Sequence, residues 1–81
     1  MNQTEYAAVF EEIRKELDFV IRQETDWELS QASRVEALSN VCTLIWATLL
    51  SGDHCEYRRR IVHLAALAAA AVIALNRNRN P

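Results

Sequence analysis

Residues 61–75 constrain this chain more than any other feature, because every one of them is apolar except His63. A helix that is apolar on all sides must be covered by protein or by lipid. Fifteen helical residues span roughly 22 Å, short of the ~30 Å hydrocarbon core of a bilayer. Seven of the fifteen are alanines, which insert weakly into membranes but let neighbouring backbones approach closely. The stretch therefore reads as the central helix of a soluble bundle. The chain has only 81 residues, enough for one domain and for two more helices. Two helices cover two faces of a third, and the face left over would be an apolar patch of about several hundred Å2, which monomers rarely expose. A symmetric homodimer that packs the second and third helices against their copies removes it. The interface expected on this ground comprises Leu44, Ile61, Leu64, Leu67, Ala68, Ala71, Val72 and Leu75.

The rest of the chain agrees with an all-α fold, a three-helix chain forming a bundle completed by homodimerisation. It has one glycine, Gly52, and one proline, Pro81, too few turn formers for a sheet. The first helix is predicted over residues 4–23. Asn2 or Thr4 caps it, and Tyr6, Phe10, Ile13, Leu17 and Val20 form an inward stripe. Phe19 and Ile21 fall outside that stripe. Glu11 with Lys15, and Asp18 with Arg22, are acid–base pairs four residues apart. Residues 24–33 read as an irregular link with two possible capping boxes, Thr25 with Glu28 and Ser33 with Glu36; Trp27 and Leu29 are expected to fold back as apolar plugs. The second helix is predicted over 34–51 with two apolar stripes. One holds Val35, Leu38, Cys42, Ile45 and Leu49, the other Val41, Leu44, Ala47 and Thr48. Gly52 ends it as a left-handed cap. The third helix is predicted over 54–75, started by Asp53 with Glu56 and closed by Asn76. Residues 1–76 form a single domain, and 77–81 a flexible tail.

A formal net charge of −2 argues against general affinity for nucleic acid. The first nine residues lack the basic start and apolar centre of a signal peptide. Cys42 and Cys55 are too far apart along their helices for a disulfide, so a reducing cytoplasm is the expected location.

Several groupings bear on chemistry. Glu12 and Glu16 share a helical face beside Glu11, and such carboxylates bind Mg2+ when a second element contributes; they also suit a solvated face paired with Arg14 and Lys15. His54, Cys55 and His63 are zinc-binding types, but no pair has ligand spacing, and His63 suits a hydrogen-bonded core histidine. Arg58, Arg59 and Arg60 fit phosphates, and equally fit ion pairs with the acidic first helix or with an acidic partner. Cys42 reads as a small core residue. Phe19, Trp27, Arg58, Arg59 and Arg60 are the expected contacts for a protein partner.

Three stretches resemble the MazG-like family of all-helical nucleoside triphosphate pyrophosphohydrolases, above all its small phage and prophage members. Residues 9–16 (VFEEIRKE), with Gln23 and Trp27 after them, are similar to the family's first helix. Residues 35–41 (VEALSNV) ending in 49–53 (LLSGD) are similar to its second helix and turn, and residues 57–68 (YRRRIVHLAALA) to its third. The resemblance implies a Mg2+ cluster held by carboxylates on the second and third helices, one turn apart on each, which positions a triphosphate and activates water. Of those positions only Glu36 keeps its carboxylate. Ala37, Asn40, Arg60 and His63 stand at the others, and an arginine there repels the ion.

The function expected is therefore a non-catalytic protein-interaction module, a homodimer on a degenerate MazG-like scaffold. The resemblance adds a phage or prophage origin and a host protein as target, and it needs no cofactor. Two alternatives stand beside it. One is a Mg2+-dependent pyrophosphohydrolase using Glu12, Glu16 and Glu36 across a dimer. The other is a small nucleic-acid-binding regulator that uses the arginines.

Overall fold

The computed structural model describes residues 2–23 and 31–79, with the backbone alone at 78 and 79. These residues form three α-helices and no strand: α1 Gln3–Gln23, α2 Gln31–Ser51 and α3 His54–Arg79. The capping box at Thr25 and Glu28, and the plugs Trp27 and Leu29, lie outside the described residues.

Each boundary has a local cause. Asn2 caps α1, its Oδ1 accepting from the Glu5 N–H at 2.9 Å, and satisfies one of the helix's orphan donors. Asp53 does the same for α3 through the Glu56 N–H at 3.0 Å. Between them Gly52, at φ 79°, lets the chain leave α2 in the left-handed region open to glycine. Two boundaries differ from those predicted by more than one residue. Helix α2 starts at Gln31, which places Ser33 inside the helix and not at its cap. Helix α3 does not close at Asn76 but runs to Arg79, so 77–79 are helix and not tail. Asn and Arg tolerate a helix, and nothing before Pro81 forbids one.

Helix α3 is central. Both α1 and α2 pack on it, and neither packs on the other. Ala66, Ala70 and Ala74, one turn apart, are fully buried on its inner side. Their small side chains let α1 and α2 come close. Val20 of α1 joins Ala66 and Ala70 in the core, with Leu17 and Leu67 packed against it. On α2 the inward line is Arg34, Leu38, Val41, Ile45 and Thr48, of which Arg34 and Val41 are buried. This line runs between the two stripes predicted for α2. Cys42, 100° further round, is exposed rather than in the core.

No large side chain is fully buried among the described residues. A fully buried valine contributes about 1.5–3 kcal/mol, so two valines and three alanines make a thin core. The overall dimensions agree. The accessible surface is 6131 Å2, against about 5,000 Å2 for a compact monomer of this mass. The radius of gyration is 14.1 Å, against about 12 Å for a compact domain of this length. Tyr6, Phe10, Val35, Trp46, Leu50 and Val72 are among the large apolar side chains left open.

Candidate functional site

The polar groups gather along the seam between α1 and α3. The α1 stripe of Ile13, Leu17 and Val20 leans on α3, and this brings Glu12 and Glu16 against the first turns of α3. Arg58 Nη1 donates to Glu12 Oε1 at 2.5 Å, and His63 Nδ1 lies 2.8 Å from Glu16 Oε1. Arg59 and Arg60 turn back along their own helix, reaching Glu56 at 2.6 and 3.0 Å. The arginine run is thus divided, one arm crossing to α1 and two neutralising the acid of the first turn. Along α1, Glu11 and Asp18 both pair with Arg14, at 2.6 and 2.7 Å, in place of the predicted pairs with Lys15 and Arg22.

Charge pairing sets the protonation of these groups. The Arg58 hydrogen bond holds the Glu12 carboxyl below the ordinary carboxylate range, against an opposing push from desolvation. Arg59 does the same for Glu56, and Arg14 for Glu11. The arginines are shifted upward in return.

Above the seam opens a cleft of about 360 Å3 bordered by Glu12, Lys15, Phe19, Cys55, Arg58 and Val62. A second hollow of about 260 Å3 shares Glu16, Phe19 and Arg59 with it and reaches His63. Phe19, 56% exposed, stands as an apolar post among charges of both signs. Of the expected partner contacts, Phe19, Arg58 and Arg59 meet here. Arg60 lies on the His63 side, and Trp27 falls outside the described residues.

These residues do not fit a magnesium ion within one chain. Glu12 is tied to Arg58 and Glu16 to His63. Glu36 sits on the outer side of α2, a helix that α1 does not touch. Among the described residues no three His, Cys, Asp or Glu side chains gather as metal ligands do. His54 and Cys55 are exposed, while His63 is half-buried and takes its place in the seam. Of the expected interface residues, Leu44, Ile61, Val72 and Leu75 are open to solvent, as is Ala68. Leu64 and Ala71 are partly covered, and Leu67 packs on the core.

Sequence reasoning missed Arg34. It is buried and borders a hollow of about 250 Å3 with Val20, Ala37, Leu67 and Ala70. The four-and-three spacing 34-38-41-45-48 marks it once an arginine is allowed to pack its aliphatic stem.

No family model matches the chain, and no curated protein or solved structure does either.

Proposed function

We propose that this chain is a non-catalytic interaction module: a soluble cytoplasmic helical bundle, completed by a second copy of itself, that presents the α1–α3 seam to a protein partner. The observation that carries this reading is the mismatch between core and surface. The chain exposes about 1,100 Å2 more than a compact monomer of its mass, and Phe10, Trp46, Leu50 and Val72 are among the large apolar side chains left more than half open. At ~25 cal/mol per Å2 of apolar area, covering such side chains contributes on the scale of a small domain's whole stability.

The seam supplies the charged, aromatic-centred surface that a protein partner recognises. A binder of a host protein, encoded by a phage or prophage, is the form of this reading that the MazG-like resemblance suggests. Against catalysis stands the engagement of Glu12 and Glu16 by basic groups.

By length and composition α3 is also apolar enough to cross a membrane over His54–Arg77. Inserting it would strip α1 away, breaking Arg58–Glu12 and His63–Glu16 and uncovering the alanine stripe. Water is therefore the proposed medium, and a second copy the proposed cover.

Two measurements test the reading. Sedimentation equilibrium without detergent, at tens of micromolar, is expected to give twice the 9.3 kDa of one chain; a single 9.3 kDa species overturns it. Incubation with Mg2+ and each nucleoside triphosphate is expected to release no pyrophosphate. Turnover that vanishes in Glu36→Ala establishes the enzyme instead.

A further inference from the structure

We propose that the second copy docks on one continuous, charge-free face made jointly by α2 and α3 on the side turned away from α1, an assignment that rests on the self-association proposed above. The helical positions locate this face. On α2, Ser33 and Ala37 look towards α1, since they share a hollow with Val20 and Gln23. Cys42 lies 140° round the helix from Ala37, at 100° per residue, and so opens on the opposite flank. Val35 and Leu49 lie one heptad to either side of it. On α3 the inner side is marked by Ala66, Ala70 and Ala74, and the α1 flank by Arg58, Val62 and His63. Ile61, Ala68 and Leu75 lie 140–180° round from Ala70, again spaced by sevens. Because α2 and α3 are antiparallel neighbours joined at Gly52 and Asp53, the two heptad lines run side by side.

Three properties of this face fit a second copy of the chain. Apolar side chains spaced by sevens are the seam of long helix-on-helix packing, and two adjacent seams meeting their copies close a four-helix bundle. A two-fold interface sets a patch against itself, so like charges would repel. Residues 37–52 and 61–76 contain no Asp, Glu, Lys or Arg, which removes that penalty. The face also carries open apolar side chains for a copy to cover: Val35 is 61%, Trp46 62%, Leu49 45%, Ile61 40% and Leu75 42% exposed. Leu44, on the groove side of α2 with Ala37, lies outside it.

The test compares Trp46→Glu and Leu75→Glu, one on each helix of the face, with Phe10→Glu on α1, by sedimentation, with circular dichroism to verify helicity. The first two are expected to raise the dimer dissociation constant at least thirtyfold, as hot-spot side chains do, and Phe10→Glu to leave it within about threefold. A second readout needs no charged substitution. In Trp27→Phe, Trp46 is the sole tryptophan, and its emission is expected to move to shorter wavelength as concentration carries the chain from monomer to dimer. If the wild type dimerises but neither glutamate weakens it, or only Phe10→Glu does, the face is wrongly assigned while self-association stands. Trp46 emission that stays constant across the transition has the same meaning. A monomeric wild type removes the underlying reading. If it also floats with phosphatidylcholine vesicles and its Trp46 emission shifts there, lipid covers the face and not a copy.

Discussion

Arg58 on α3 donates to Glu12 on α1 across 46 residues of chain, and this ion pair fastens the outer end of the bundle. The arginine holds the Glu12 carboxyl below its ordinary range. A carboxyl whose folded value is depressed stabilises the fold fully above its unfolded value, and the contribution fades as pH falls through the folded value. The pair therefore acts at neutral pH and is lost in acid, below the usual carboxylate titration. Arg58→Ala is expected to return Glu12 to the ordinary range, read by carboxyl-carbon NMR. A Glu12 titration unmoved by that substitution contradicts the pairing.

His63 and Glu16 form the other tie between these helices, at 2.8 Å and half-buried. A double-mutant cycle with Glu16→Ala and His63→Ala is expected to give a coupling of about 0.5–1.5 kcal/mol at neutral pH. Urea denaturation of the four proteins measures it, and additive effects show that the two side chains act independently.

The alanine stripe sets the distance between helices. Ala70→Leu forces extra volume where α1 and α2 both meet α3, and is expected to cost about 1–3 kcal/mol. Ala47→Leu, on the exposed flank of α2, is expected to stay within about 0.5 kcal/mol. Thermal melts of equal concentration decide between them, since similar melting points show that the stripe is not close-packed.

Gly52 reverses the chain at φ 79° with nothing within 4 Å of where a Cβ would stand. Space is free there but conformation is not. Gly52→Ala is expected to cost about 1 kcal/mol, and Gly52→Asn less, because asparagine tolerates the left-handed region. Equal stability of Gly52→Ala and the wild type removes the argument.

Local chemistry is what the sequence carried legibly. One glycine and one proline excluded a sheet, and Gly52 and Asp53 marked helix ends where the structure places them, because caps and turns act over three or four residues; at the start of α1 the sequence offered both Asn2 and Thr4, and Asn2 is the cap. The end of α3 was less legible, since Asn76 can cap a helix and can equally sit inside one. The candidate site was readable in part. The arginine run offered ion pairing with the acidic first helix as one use among several, and only Arg58 reaches that helix; which arginine crosses depends on how α1 is rotated against α3.

What the sequence alone determined is three helices and a third helix apolar on nearly every side, both consequences of periodicity and composition along one chain. The tertiary structure decided which sides became inside. Val41 faces α3 and Cys42 faces out, although adjacent apolar stripes on α2 offered either choice. Arg34 is buried in spite of its charge. The physical reason is that a helix apolar over more than half its circumference satisfies its own hydrogen bonds in any rotation. Its orientation is chosen by the shape of the neighbour, and on α3 that shape is the groove left by Ala66, Ala70 and Ala74.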